Sequence, residues 1–258
     1  FQKAFFRNFI ALIFMAVLII KNKDGFIPNR GSIPAILGRS VCGTIGLLCN
    51  FYALGTLNLS DANMLNKLSP FFSILFSALL LKEKPRPVQI LGVAAAFGGS
   101  MLIIKPGFDN PAVLPAIAGA VGGLGAGAAY TFVRMLGEKY EKSRRIVFWF
   151  SAFSCLVCLP FMIMNPAAMS LKSLLYLCGA GASACIGQFG ITRAYIFAPA
   201  KEISVYDYSQ VLFAALFGFL IFGQVPDALS VIGYILICGA GITMFFVNNR
   251  KSSNVTNE

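Results

Sequence analysis

The chain has 258 residues, of which 57% are hydrophobic and only 12% charged, and its mean hydropathy is +0.76. A soluble domain carries about 25% charged residues, so this composition excludes an ordinary soluble protein. The net charge of +11 comes mostly from short Lys and Arg clusters between apolar runs. Such clusters fit the loops of a membrane protein better than a nucleic-acid-binding surface, so no nucleic-acid partner is expected.

Apolar segments long enough to cross a bilayer as helices recur along the whole chain. They lack the alternating pattern of a membrane β-barrel, so the sequence predicts an all-α, polytopic helical membrane protein. We expect it to lie in the lipid bilayer of a bacterial inner (cell) membrane. Polar or turn-forming loops separate nine predicted helices, which cover residues 4–20, 33–57, 61–81, 88–104, 112–135, 146–164, 171–198, 203–223 and 228–247.

The chain matches itself without gaps at an offset of 141 residues, a register that pairs Phe72 with Phe213. The helix breaks of the two copies coincide as well. The sequence therefore predicts two repeats, over residues 1–106 and 107–247, followed by a polar cytoplasmic tail at 248–258. The second repeat opens with a helix that has no counterpart in the first, which predicts an inverted five-plus-five bundle whose first helix precedes residue 1.

The distribution of Lys and Arg predicts the orientation of these helices. If the carboxyl terminus is cytoplasmic, the inside loops hold 13 Lys and Arg residues and the outside segments hold 4. The basic loop "KEKPRP" then faces the cytoplasm, whereas its repeat counterpart "GQVPD" faces the outside. Inverted repeats of this kind are typical of secondary transporters.

Among the charged side chains within the predicted spans, three stand out as the first candidates for a functional site: Lys67, Arg193 and Asp207. An ionisable group near the bilayer centre costs roughly 2.5 to 3.5 kcal/mol on insertion scales, so such groups usually serve a function. The alternative for Lys67 is a side chain that snorkels to the interface. For Arg193 and Asp207 the alternative is a purely structural ion pair, since both are expected on the inner half of the membrane.

The repeat register places these charges on two symmetry-related helix pairs, because it aligns Tyr52 with Arg193 and Asn66 with Asp207. We therefore expect a polar cavity between the repeats, with Lys67 on its outward-opening side. The predicted substrate-binding residues are Lys67, Arg193, Asp207, Tyr52, Asn66, Tyr208, Asn50 and Gln210.

Two further roles follow from residue type. Asp207 is the one deeply placed acid, which makes it the candidate for coupling transport to protons. Pro70 lies within a predicted membrane helix, where it frees a backbone carbonyl and favours a kink, so it is either a gate or a structural bend.

Several activities are disfavoured by what the sequence lacks. The absence of His removes Ser-His and Cys-His catalysis, and Cys155 and Cys158 have no second pair to complete a metal site. No phosphate-binding loop for ATP is present. We therefore expect no enzyme activity, no metal and no cofactor.

Several stretches of the sequence resemble the drug/metabolite transporter superfamily, in particular its EamA-like branch. They are "FFRNFIALI" at 5–13, "NFYALGTLNLSDANMLNKLSPFFSILFSALLLKEKP" at 50–85, "ILGVAAAFGGSMLIIKP" at 90–106, and the looser "EISVYDYSQVLFAALFGFLIFGQVPDALSVIGYILI" at 202–237. The resemblance implies a carrier of ten helices and two repeats that works by alternating access. The implied cavity is lined largely by helices 3, 4, 8 and 9 of the ten, and no particular substrate is implied.

The leading hypothesis is a secondary transporter, an exporter, that moves a small polar metabolite such as an amino acid or an anionic relative. Its partners are the bilayer, the solute and, as a candidate coupling ion, protons. The alternatives are a non-transporting membrane scaffold or scramblase-like protein and, third, a membrane-embedded enzyme. The sequence leaves the oligomeric state open.

Overall fold

The structure is a computed structural model that describes residues 2–82, 87–104, 112–164, 170–198 and 209–255. The described residues are helical, with no strand among them, which confirms the predicted all-α fold. They form ten helices: α1 (Gln2–Lys21), α2 (Ile33–Leu54), α3 (Leu59–Asn66), α4 (Ser69–Leu80), α5 (Pro87–Ile104), α6 (Val113–Glu138), α7 (Ser143–Met164), α8 (Leu171–Phe197), α9 (Ser209–Phe222) and α10 (Ala228–Val255).

Seven of these described helices are long and apolar enough to cross a membrane, namely α1, α2, α5, α6, α7, α8 and the apolar part of α10. Two features of the helices differ from the prediction. The single helix predicted over 61–81 is divided into α3 and α4, and α10 continues to Val255, into the stretch 248–258 that was predicted to be a polar tail. The start of the helix predicted over 203–223 lies outside the described residues.

The chain divides into two compact units, and each draws on both halves of the sequence. Unit 1 comprises residues 1–48 and 129–198, and unit 2 comprises 49–128 and 199–258. The boundaries fall within α2 and α6. This division by packing differs from the predicted division into sequence repeats, which stays a prediction.

In unit 1, α1 packs against α7 and α8. The centre of this contact is a buried cluster of Ala11, Met15, Val147 and Cys185. Small residues allow the helices to approach closely, which matters in lipid because packing rather than water exclusion holds membrane helices together. These helices carry polar side chains of unit 1, among them Arg7 on α1 and Arg193 on α8.

In unit 2, α5 lies along α10 and α9 lies against α3. The closest approach is at Gly99 of α5 and Gly233 of α10, where a Cβ added to Gly233 would lie 2.6 Å from the Gly99 carbonyl oxygen. The core of the unit includes Leu65 and Phe71, on either side of the junction between α3 and α4. That junction carries the first of the predicted site residues.

Candidate functional site

Lys67 lies at the break between α3 and α4 in unit 2. Its backbone N–H donates to the carbonyls of Asn63 and Met64, both at 3.0 Å, which closes the last turn of α3. The Lys67 side chain is only 5% exposed. An amino group is therefore held inside the unit at the point where the helix is interrupted.

The break is a consequence of the sequence "NKLSP". In a continuous helix the carbonyl of Asn66 would accept a hydrogen bond from the N–H of residue 70, but residue 70 is a proline and has no N–H. Pro70 is buried in the first turn of α4, a position where the missing donor has no helical partner to lose. In place of the kink predicted from Pro70, the helix is interrupted at Lys67 and Leu68, between α3 and α4.

Two glycines of α6, Gly123 and Gly127, pack directly against the junction between α3 and α4. A Cβ added to Gly123 would lie 2.7 Å from the Leu65 carbonyl oxygen, and one added to Gly127 would lie 2.7 Å from the Ser69 carbonyl oxygen. Any larger residue at either position would clash with backbone atoms of the α3–α4 junction, which cannot move without displacing a helix. The backbone of α6 therefore lies against the interrupted helix next to Lys67.

A chain of side-chain amides joins α3 to α9 and to the loop that follows it. Gln210 Nε2 donates to Asn63 Oδ1 at 3.1 Å, and Asn63 Nδ2 donates to the Leu59 carbonyl at 2.7 Å. The Leu59 N–H donates in turn to Gln224 Oε1 at 2.8 Å. The predicted residue Gln210 thus contacts the turn of α3 that ends at Lys67, whereas Asn63 and Gln224 were not predicted.

The remaining predicted residues of unit 2 differ in their surroundings. Asn50 Oδ1 is buried and has no hydrogen-bond partner among the described residues. Asn66 is half-buried, whereas Tyr52 is 49% exposed. Asn50 therefore has an acceptor that a bound donor would satisfy. Asp207 and Tyr208 lie outside the described residues, and so does the expected pairing of Asp207 with Arg193.

Arg193 lies in unit 1, near the carboxyl end of α8, and lines a cavity of about 570 Å³. Its guanidinium carbon is 6.0 Å from the centre of the Phe189 ring and 5.8 Å from that of Phe197, within the range of a cation–π interaction. Lys142 and Arg144 line the same cavity. Three basic side chains and one acid, Glu141, therefore line the cavity at the end of unit 1 where the α6–α7 loop lies.

The α1–α2 and α6–α7 loops are held together by ion pairs. Asp24 accepts a hydrogen bond from Lys142 at 2.5 Å and another from Arg144. These hydrogen bonds, that of Lys142 first, hold the pKa of Asp24 below its ordinary value because they favour the carboxylate. Glu141 adds a second link, since its carboxylate accepts from the Asn29 N–H at 2.9 Å.

Arg7 and Arg39, two of the arginines inside the membrane helices of unit 1, are not among the predicted site residues. Arg39 of α2 is 3% exposed, and Arg7 of α1 is half-buried and donates to Gln188 Oε1 at 3.4 Å. The sequence could have indicated both residues as candidates for a functional site, because both are ionisable and lie inside predicted membrane spans.

Metal binding finds no support among the described side chains, where no group of three or more His, Cys, Asp and Glu residues could hold an ion. Cys155 and Cys158 are buried free thiols. A helical membrane protein with amines and guanidinium groups buried in its spans, one of them at a helix break, has the features of a membrane transporter.

The chain belongs to the EamA-like transporter family, whose model matches residues 1–105 and 113–247. It is 34% identical over 244 residues to the pseudopaline exporter CntI of Pseudomonas aeruginosa, an alignment that covers 93% of this chain and 84% of that protein. It is 26% identical over 253 residues to the riboflavin transporter of Brucella anthropi, covering 93% of this chain and 85% of that protein.

A solved crystal structure shares the fold, with a TM-score of 0.71, 16% sequence identity, and coverage of 96% of this chain and 88% of that chain. These similarities confirm the predicted membership of the drug/metabolite transporter superfamily and the helical membrane fold. The chain is thus an integral membrane protein of a transporter family rather than an enzyme, and it is expected to act on a small-molecule solute in a lipid bilayer.

Proposed function

We infer that this chain is a secondary transporter that moves a small polar metabolite by alternating access, and that it exports this solute. The observation that carries the proposal is Lys67, whose side chain is 5% exposed at the break between α3 and α4. Placing an ammonium group in a membrane helix is costly, and transporters often place solute sites where a helix is discontinuous. The amino acids and related metabolites carry polar groups that such an amine would bind.

The alternating-access step would use the same break. The solute binds more tightly to one of two states, and its binding shifts their populations. Because the Asn66 carbonyl lacks a helical donor from residue 70, α4 can change its angle to α3 without losing a backbone hydrogen bond at that position. Pro70 is the proposed hinge of this gate, with Asn50, Tyr52, Asn66 and Gln210 as further groups that contact the solute.

The direction and the coupling ion are the finer parts of the proposal. Export is supported by the name of the relative from Pseudomonas aeruginosa, which is called an exporter. Asp207 is the proposed proton-coupling residue, with Tyr208 beside it and Arg193 as its partner. Asp207→Asn should remove the dependence of transport on a pH gradient while leaving solute exchange at equal pH intact; a gradient dependence that survives would exclude Asp207 from this role.

The proposal is tested by solute counterflow in proteoliposomes that contain the full-length protein. The solutes are amino acids, amines, organic acids, nucleotide sugars and phosphates, first ranked by the rise they cause in the thermal midpoint. Lys67→Met should reduce counterflow at least tenfold, whereas Lys172→Met, which removes an exposed lysine from the start of α8, should leave it unchanged.

Two outcomes would count against the proposal. If well-folded protein moves none of the solutes, the scaffold or scramblase-like alternative gains support, and lipid movement in the same vesicles would test it. If Lys67→Met transports a solute as fast as the parent protein does, transport stands but Lys67 is not part of its path.

A further inference from the structure

Arg39 holds a positive charge inside unit 1 that the proposed function does not use. The residue lies about 9 Å along α2 from Ile33, at a rise of 1.5 Å per residue. Its side chain is only 3% exposed. Charged groups at such positions are expensive and usually have a compensating partner.

The side chains around Arg39 do not supply an opposite charge. The guanidinium carbon lies 4.1 Å from the centre of the Phe150 ring, in a cation–π contact. Arg7 lies within electrostatic range and adds a second positive charge, and Tyr130 lies within the same range. The Nε of Arg39 is buried and has no hydrogen-bond partner among the described residues.

The sequence of the surrounding helices also lacks carboxylates. The helices α1, α2, α7 and α8 contain no Asp or Glu, and the single acid of α6 is its last residue, Glu138. The guanidinium groups of Arg7 and Arg39 therefore lie within helices of unit 1 whose single acid is Glu138, at the end of α6. An anion from outside the chain would neutralise them.

We propose that Arg39 binds an oxyanion of the transported solute, a carboxylate or a phosphate, and that Arg7 contributes a second positive charge to it. This inference rests on the proposed transport function and names the class of its solute. A guanidinium group presents parallel N–H donors that match the two oxygens of a carboxylate or phosphate. The ring of Phe150 covers one face of the group, and Nε is the N–H donor that has no partner among the described residues.

The site is shaped by Gly43, which lies one helical turn after Arg39. A Cβ added at residue 43 would lie 2.1 Å from Arg39 Nη1 and 2.9 Å from Phe150 Cε2. Because the guanidinium is the far end of a flexible side chain, Gly43→Ala should displace it, and the buried Phe150 ring must shift slightly as well. This variant moves the proposed donor without removing its charge.

The experiment uses the full-length protein in detergent and in proteoliposomes, with matched probes. The anionic probes are succinate and glycerol 3-phosphate, and their neutral counterparts are succinamide and glycerol. Binding is read as the dose-dependent rise in thermal midpoint, and transport as counterflow. We expect an anionic probe to bind and its neutral counterpart to fail, and Arg39→Met to weaken anion binding on the order of tenfold or more.

Three variants separate this role from a purely structural one. Arg39→Lys keeps the charge but loses the pair of parallel N–H donors, and Gly43→Ala displaces that pair, so both should bind the anion severalfold more weakly. The ligand-free thermal midpoint of Arg39→Lys should stay near that of the parent. Arg30→Met, which removes an exposed arginine from the α1–α2 loop, should bind the anion as the parent does.

Different results would overturn the oxyanion site and the transport function. If the parent protein transports only neutral probes, or if Arg39→Lys and Gly43→Ala bind the anion as tightly as the parent, the oxyanion site is overturned and transport stands. If folded protein transports no solute at all, the transport function itself is overturned, and the oxyanion site with it.

Discussion

Asp61 and Tyr234 form the shortest side-chain contact described between helices of unit 2, with 2.5 Å between the Tyr234 hydroxyl and Asp61 Oδ1. The carboxylate lies in the first turn of α3, where the helix dipole also favours a negative charge. A hydrogen bond to a charged group contributes about 1.5 to 3 kcal/mol. Because the helix terminus can satisfy part of the lost bond, we expect Tyr234→Phe to lower the free energy of unfolding by about 1 to 2 kcal/mol.

The measurement is the thermal midpoint in detergent at neutral pH. Tyr140→Phe is the matched control, since this tyrosine is 90% exposed in the α6–α7 loop and should tolerate the loss of its hydroxyl. Equal midpoints for Tyr234→Phe and the parent protein would mean that the contact adds nothing to stability.

Single residues were predicted unevenly from the sequence. Lys67 could be found because a lysine within an apolar run is rare, but its burial at a helix break depends on how α6 packs against it. Asn63 was passed over in favour of Asn66, because the face that each asparagine presents depends on where the helix ends. Arg39 also lies inside a predicted span, but the repeat register aligns it with Ala180, which is uncharged.

At the scale of helices, the approach of α5 to α10 depends on two glycines. A Cβ on Gly233 would lie 2.6 Å from the Gly99 carbonyl oxygen, and one on Gly99 would lie 2.9 Å from that of Gly233. Backbone atoms cannot rotate away, so Gly233→Ala must separate the helices. We expect it to cost about 1 to 3 kcal/mol, the usual range for overpacking, and to lower the thermal midpoint.

Gly98→Ala provides the control on the same helix pair. A Cβ at residue 98 would meet nothing within 4 Å, so its thermal midpoint should equal that of the parent or rise slightly. If Gly233→Ala and Gly98→Ala behave alike, the close approach of α5 and α10 does not limit stability.

The loops joined by Asp24 give a pH-dependent contribution to stability. The pKa of Asp24 is lower in the folded protein than in the unfolded chain, so the folded state gains stability above the unfolded pKa of about 3.9 and loses it as the pH falls through the lower folded value. Asp24→Asn removes this contribution at every pH. The difference in thermal midpoint between the parent and Asp24→Asn should therefore be largest near pH 6 and shrink below about pH 4.

Arg30→Gln is the control for this comparison, because it changes the charge of the same loop at an exposed residue. Its midpoint should follow that of the parent at every pH. A difference between the parent and Asp24→Asn that stays constant down to pH 3 would show that the ionised carboxylate is not the source of the stabilisation.

Apart from the end of α10 and the undescribed start of α9, the outer bounds of the predicted helices were correct to within about a turn, because apolar length is set by the bilayer thickness. The division of one predicted helix into α3 and α4 was only partly predictable. Pro70 indicated that a backbone hydrogen bond was missing, but the chain is interrupted at Lys67 and Leu68, before the proline. Pro70 favours a position in the first turn of a helix, which explains why the interruption precedes it.

For the whole molecule, the sequence predicted the helical membrane fold and the family but not the compact units. Hydropathy identifies which segments lie in the membrane and says little about which helices pack together, because lipid tails are as apolar as the helix surfaces. Units 1 and 2 each combine segments from both ends of the chain, and their boundaries fall inside α2 and α6. Self-similarity along the sequence therefore does not indicate the packing.

The orientation of the whole protein is a prediction that labelling can test. With 13 Lys and Arg residues in the loops assigned to the inside and 4 outside, we expect the α6–α7 loop to face the cytoplasm and the α9–α10 loop to face outward. Tyr140 and Val225 are exposed residues of these two loops. In a full-length background whose native cysteines are replaced, Val225→Cys in intact cells should react with a membrane-impermeant maleimide.

Tyr140→Cys should react with that maleimide only after the cells are permeabilised, and each variant controls for the reactivity of the other. The expected pattern places the carboxyl end of α10 in the cytoplasm, because α10 crosses from the outward loop. It also places the cavity lined by Arg193 on the cytoplasmic side, since Tyr140 lines that same cavity. Labelling of Tyr140→Cys but not Val225→Cys in intact cells would show that the protein has the opposite orientation. The excess of Lys and Arg in the α6–α7 loop would then not follow the positive-inside rule.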